Sequence, residues 1–502
     1  MPARMRDPCG RARLVRRRQQ CGRLTDGHKP WPEIPVRTLA FILVATAALV
    51  FVEPVRADEA ALAARVDKLT TELEALKAEL RELKAQRAAA VSGTTTAAPP
   101  AMKMATTDAT AAGPSQAALA SSSAGANDGG ARTPLPYAIA PGNPFSTLPS
   151  DTPAATIFGY GEIDYENYPR NKSQTEADLA RAVIGFGYRF DERTRFVSEF
   201  EWEHAVTSAD DQGESEVEQF YVERSFTPQL AGRAGLFLIP SGLLNTAHEP
   251  TQYFGVTRNF VETSIIPTTW REGGIALTGV TDFDLTWDVG ITTGFDLAKW
   301  DPTSDEGKAS PLGSIHQELQ FAKAANLSAY GALNWRGYPG LLLGASVFSG
   351  RAGQKQPDFP SQNAVVTLAE AHARWTPGPF DLSALYARGH ISDTAPYNET
   401  IVGNPTLVPS DFYGWYVQGA WYALQQGDYQ LAPFARYERF NTGWRYATLA
   451  QGLTPAALPT ESVFTVGASF YVTPNIVLKA DYQWFRIDSQ SDRFQLGLGL
   501  NF

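Results

Sequence analysis

The chain has 502 residues, a formal charge of -10, 43% hydrophobic and 11% aromatic residues, and only 2 Cys. Residues 1–57 hold 11 Lys+Arg and 4 Asp+Glu, which leaves 32 basic and 49 acidic residues, a charge of -17, on the rest and argues against a nucleic-acid partner. Cys9 and Cys21 both precede the one strongly apolar run, so the chain beyond it has no disulfide, no thiol chemistry and no cysteine-held metal centre.

That apolar run, "LAFILVATAALVFV" (39–52), is too short for a comfortable membrane helix but fits a signal-peptide core. "VRA" follows at Val55, Arg56 and Ala57, with small residues where cleavage requires them, so residues 1–57 read as a presequence and Asp58 as the mature N-terminus. Residues 1–35 are Arg- and Pro-rich without amphipathic spacing, which suggests a start assigned too early and Val36 as the true one. After residue 57 no stretch of about 18 apolar residues occurs. An integral protein of this sequence therefore has to span with a closed barrel.

Residues 58–87 read as a helix. Leu62, Val66, Leu69, Leu73, Leu76, Leu80 and Leu83 recur at alternating spacings of 4 and 3, a heptad seam for a parallel coiled coil. Glu72 and Lys77, like Glu79 and Lys84, stand at g and e positions that bridge neighbouring helices. Three heptads are marginal alone, so another contact must hold the subunits together. Residues 88–153 are Ala, Ser, Thr, Gly and Pro with few large apolar side chains and read as a flexible linker.

Residues 154–502 have another texture. Alternating runs of about 10 residues recur, as in "ARAVIGFGYRF" (180–190) and "NIVLKADYQWFRI" (475–487). In the latter Ile476, Leu478, Ala480, Tyr482 and Trp484 share one face, and Lys479, Asp481 and Gln483 the other. Charges opposite a continuous apolar face suit a water-filled barrel in lipid. Short turns at 191–194, 227–229, 281–282, 336–340, 376–379, 425–428 and 473–475 alternate with longer loops near 167–177, 207–215, 239–270, 297–326, 351–362, 392–410, 442–460 and 488–491. The alternation is unbroken if "IHQELQFAKAA" (315–325) is a short helix within a loop. Seven turns and eight loops give an all-β fold, a 16-stranded antiparallel transmembrane β-barrel with both ends on the short-turn side. The final alternating segment, "FQLGLGLNF" (494–502), is then the closing strand.

No catalytic motif stands in a fitting context, and the six His are scattered along the sequence. Neither enzymatic activity nor a cofactor or metal is expected, although a cluster assembled only by folding is invisible at this level. The longest loop, 239–270, is rich in large apolar and aromatic residues and has room to fold into the lumen. By strand parity Arg181, Arg336, Arg374, Arg436 and Lys479 point into the lumen. Glu199, Glu201 and Glu203 point together from one strand, and Glu370 and Glu438 accompany the basic residues, so the ring of charge is mixed. Within the loop Arg258 and Arg271 are placed to meet solute, as are Glu249 and Glu262 unless internal bonds hold them. His248 belongs to the same stretch, and Trp270 reads as packing.

"RAGLFLIPSG", the insertion with "HEP", "GVTRN" and "IIPTTWREGG" resemble the phosphate-selective porin O and P family over most of 154–502. The resemblance implies a homotrimeric 16-stranded channel in the outer membrane of a Gram-negative bacterium, narrowed by its third loop, with the coiled coil and linker in the periplasm. It also implies lipid and small anionic solutes, phosphate among them, as partners. Phe502 resembles the terminal aromatic signal read by the barrel-assembly machinery. The other expectation is an envelope tether: the barrel anchors, and the coiled coil with its linker reaches out.

Overall fold

The computed structural model describes residues 154–208 and 213–502, apart from the side chain of Gln451. The presequence, the heptad seam Leu62–Leu83 and the linker lie outside the described residues. What is described is one closed antiparallel sheet. Its strands are β1 (Ala155–Asn167), β2 (Glu176–Arg189), β3 (Thr194–Glu203), β4 (Ser215–Thr227), β5 (Leu230–Leu238) and β6 (Arg271–Val280). There follow β7 (Leu285–Thr292), β8 (Ser328–Tyr338), β9 (Leu341–Arg351), β10 (Val365–Trp375), β11 (Phe380–Ile391) and β12 (Asp411–Trp421). The last are β13 (Leu424–Gln426), β14 (Tyr429–Arg445), β15 (Glu461–Thr473), β16 (Ile476–Phe485) and β17 (Arg493–Asn501). Each pairs with its sequence neighbours, and β12 and β13 lie end to end along β14, so the barrel has sixteen staves.

Closure is made by β17 against β1, from Tyr160↔Asn501 to Asn167↔Phe494. Phe502 extends it, exchanging backbone bonds of 2.9 and 3.1 Å with Gly159. A Cβ on Gly159 would stand 2.4 Å from the Val183 carbonyl and 2.9 Å from the Phe502 ring, so only glycine lets that ring lie on the first strand. The predicted turns and loops coincide with the connections between these strands, although the turn at 336–340 begins within the end of β8 and that at 425–428 takes in part of β13.

The faces separate as the alternation requires. Ile184, Phe186, Phe220, Val222, Leu496 and Leu500 are exposed on the outside, while Lys479, Asp481, Gln483 and Gln495 are buried on the inside. Trp375, Phe380, Trp421, Tyr429 and Phe502 gather where strands enter the short turns, forming the aromatic girdle of a membrane-spanning barrel. At the long-loop end the interior holds an apolar cluster in which Trp270, fully buried, stacks on Phe295 at 5.4 Å and meets Phe348 edge-on at 4.6 Å.

One local expectation fails. Residues 315–325 are not a helix; the loop instead carries a helical turn at Glu306–Ala309 and a 3-10 turn at Gly313–Ile315. Glu318, Leu319 and Phe321 have φ of 50°, 60° and 49°. Three left-handed residues so close together break any right-handed helix. The Gln317 side chain holds this shape, donating to Gly294 O and accepting from Lys323 N at 2.5 and 2.7 Å.

Candidate functional site

The β5–β6 connection, residues 239–270, leaves the rim and reaches polar groups on distant staves. Its tip meets β14, which is seven staves from β6 in one direction and eight from β5 in the other, the opposite side of the barrel. There Phe260 N donates to Glu438 Oε2 at 2.6 Å, and Arg436 Nη1 donates to Phe254 O at 3.3 Å. Val256 N donates to Asp481 on β16 at 2.6 Å, and Gln483 Nε2 to Thr257 Oγ1 at 3.1 Å. Asn501 on β17 donates to Glu249 at 2.7 Å and to Thr251 at 3.1 Å. Tyr253 donates to Glu162 on β1 at 2.6 Å. These partners are inward-facing, so the segment crosses the interior and rests on the far wall.

The small face of the closing strand now has a physical reason. A Cβ on Gly499 would stand 2.6 Å from Pro250, and one on Gly497 would touch Val256 at 3.0 Å. The glycines that alternate with Leu496, Leu498 and Leu500 leave room for the loop.

Glu262 organises the loop internally. It is buried and accepts from Leu243 N, Leu244 N, Asn259 Nδ2 and Tyr416 OH at 2.6, 2.7, 2.8 and 2.9 Å. Burial pushes its carboxyl above the usual range, and the surrounding donors oppose that rise. Gly242, at φ +76°, brings the backbone within reach; a Cβ there would lie 2.4 Å from Glu262 Oε1. Trp270 has its indole N–H on Glu272 Oε1 at 3.2 Å and its ring in the apolar cluster.

Most of the basic residues singled out from sequence are matched by acids. Arg181 is buried, 2.6 Å from Glu162, and donates to His248 O at 2.7 Å. Arg436 pairs with Glu438 at 2.9 Å, and Arg374 forks onto Asp381 at 2.6–3.2 Å. Arg271 joins Glu216 and Glu318, the latter at 2.9 Å. Lys479 Nζ donates no hydrogen bond and lies 3.6 Å over the Tyr253 ring. Arg258 donates to Thr268 and Thr269, the latter at 2.9 Å. Arg336 is exposed at the irregular end of β8 beside a short turn, away from the loop. The fold thus brings Arg436 and Lys479 against the far side of the loop and Arg181 against His248, while the Arg258 side chain runs from the tip to Thr268 and Thr269, just before Arg271. Arg336 and Arg374 stay near the short-turn rim.

Among the partners that went unseen in the sequence are Tyr160, Glu162, Tyr253 and Glu218. The first three follow strand or loop patterns that carry no mark of contact. Glu218 is placed by a β-bulge: Glu199 pairs with Gln219 and Phe200 with Val217, so Glu218 is the extra residue. It turns inward beside Gln219, donor to Glu199 at 2.5 Å.

A closed antiparallel barrel with an apolar exterior, aromatic rim and charged interior is a membrane-spanning β-barrel. A chain of Aquifex aeolicus (strain VF5), described only as an uncharacterized protein, is 32% identical over 337 residues, covering 65% of this chain and 74% of that one. The protein belongs to the same family as that chain. No family model matches. Among solved structures, Salmonella typhi OmpF in complex with daunomycin aligns over 69% of this chain and 97% of its own, with 13% identity and a TM-score of 0.49. The channel DcaP of Acinetobacter baumannii aligns over the same shares with 12% identity and a TM-score of 0.45.

Proposed function

We propose that the protein is an outer-membrane porin, a passive channel for small hydrophilic solutes whose bore is set by residues 239–270. The observation that carries this reading is the anchoring of that segment across the interior, on β1, β14, β16 and β17. Sixteen staves leave an aqueous channel unless something fills it. A loop pinned to the far wall by both hydrogen bonds and ring stacking fills part of that bore and narrows it. No energy source or covalent step is needed for such transport.

The finer reading is passage of small anions such as phosphate through a homotrimer, and it draws on the sequence resemblance. Ion pairing bears on it directly. Arg181, Arg271, Arg374 and Arg436 each face a carboxylate, and such pairs set a transverse field more than a net positive one. Arg258 and Lys479 remain as cations without a carboxylate hydrogen bond, and they are the residues on which anion preference would rest.

The test is the reversal potential of purified full-length protein in a planar bilayer under a KCl gradient, repeated with phosphate. Anion preference with chloride current blocked by phosphate, and weakened in Arg258→Ala, supports the finer reading. Channels without anion preference or block keep the porin and reject phosphate specificity. A folded protein that forms no channels rejects the porin and favours the envelope tether.

A further inference from the structure

The geometry points to a divalent transition-metal site built from Glu199 on β3, Glu218 on β4 and His248 of the loop. All three side chains are buried, at 6%, 0% and 5% exposure. Their ligand atoms lie within 4.8 Å of one another. His248 Nε2 and Glu218 Oε1 are 3.5 Å apart. That is the edge of a tetrahedron around a cation about 2.1 Å from each ligand.

The hydrogen bonds leave a gap of the right kind. His248 Nδ1 lies 3.1 Å from Asn245 O. A carbonyl only accepts, so Nδ1 carries a proton, and in the neutral ring Nε2 presents a lone pair. This is also how metal-binding histidines are oriented, by a backbone carbonyl behind the ring. Tyr160 OH lies 2.7 Å from Nε2 and 2.8 Å from Glu218 Oε2, but it has one proton for two acceptors. Glu218 Oε1 accepts no hydrogen bond, although the residue is fully buried. With a neutral imidazole and ionised carboxylates, lone pairs outnumber protons in a site shut off from solvent, and such an imbalance is costly unless a cation or a further proton settles it.

Charge agrees. Glu201 is buried beside Glu218, so three carboxylates gather near one guanidinium, Arg181, which is already paired with Glu162. Two carboxylates and an imidazole suit zinc or manganese; calcium and magnesium prefer oxygen alone. The ligands join two wall strands to the loop, so the ion would staple the loop to the near wall, independently of whether solute passes.

Tag-free full-length protein, purified in detergent and stripped with chelator, is titrated with Zn2+ and, for comparison, Ca2+. One Zn2+ per chain is expected, bound more tightly than Ca2+. His248→Gln and Glu199→Gln weaken it by about tenfold or more, while Asp305→Ala, in an exposed loop, does not. X-ray absorption on the wild-type zinc form shows imidazole among oxygen ligands, a readout that needs no variant. Zinc binding unchanged in both variants is adventitious uptake by exposed histidines such as His204 and overturns the proposal. So does a wild type that takes up no zinc, which leaves the surplus lone pairs to a proton shared between Glu201 and Glu218.

Discussion

At the scale of single residues, the interior is held by buried polar groups whose partners come from far along the chain. Glu262 is the clearest. Its four donors include two backbone N–H groups and the Tyr416 hydroxyl, each stranded if the carboxylate goes. Hydrogen bonds to a charged group contribute about 1.5–3 kcal/mol each, and buried donors left unmet add to the loss. Glu262→Ala should therefore cost the loop about 3 kcal/mol or more while leaving the strands paired. Limited proteolysis of the folded barrel would show new cleavage within 239–270; protection equal to wild type would refute the role given to Glu262. Nothing in "NFVETSII" marks this glutamate apart from other loop acids. Its importance comes from Gly242 and Tyr416, which are 20 residues upstream and 154 residues downstream.

Among the elements, the closing strand and the loop explain each other. Alternation in "FQLGLGLNF" made one face apolar, and that face looks outward. The glycines on the other face could be read as lumen-facing, but the reason for their size was Pro250 and Val256, which arrive from the loop. Gly499→Val places a branched side chain where a Cβ alone is 2.6 Å from Pro250. The barrel should still fold, because the outward face is untouched, and the loop should lift from β17. Larger and noisier single-channel currents are expected; currents indistinguishable from wild type would show that the loop does not set the bore. The bulge in β4 shows where element-level reading stops. A strict period of two puts Glu218 and Phe220 on one face, yet the extra residue sends Glu218 inward and Phe220 outward.

For the whole molecule, closure decides whether sixteen strands become a barrel or an open sheet with two bare edges. The seam is one antiparallel ladder, extended by the Phe502–Gly159 pair and by the Phe502 ring lying on β1. Deleting Phe502 removes two backbone bonds and a ring that is 65% exposed, whose apolar burial against β1 is worth about 1 kcal/mol. Refolding into detergent should slow and the heat-modifiable band on gels should weaken. Unchanged refolding in detergent, with less protein reaching the membrane of a cell, would instead assign Phe502 to recognition during assembly.

The sequence by itself determined the barrel. Period-two alternation and the order of short and long connections are local properties, and each strand carries its own share of them. Strand number, the outward faces of β16 and β17 and the identity of the long loop followed from these alone. The helix proposed for 315–325 failed because its left-handed residues are fixed by Gln317 bonding across the loop. Only the tertiary structure decided what the loop touches, which charges are paired and where Glu199, Glu218 and His248 meet. The charge pairs depend on the register between neighbouring strands, and the loop's contacts reach staves that face it only after the sheet has closed. Closure is a property of all sixteen strands together, so no window of sequence records which side chains it brings face to face.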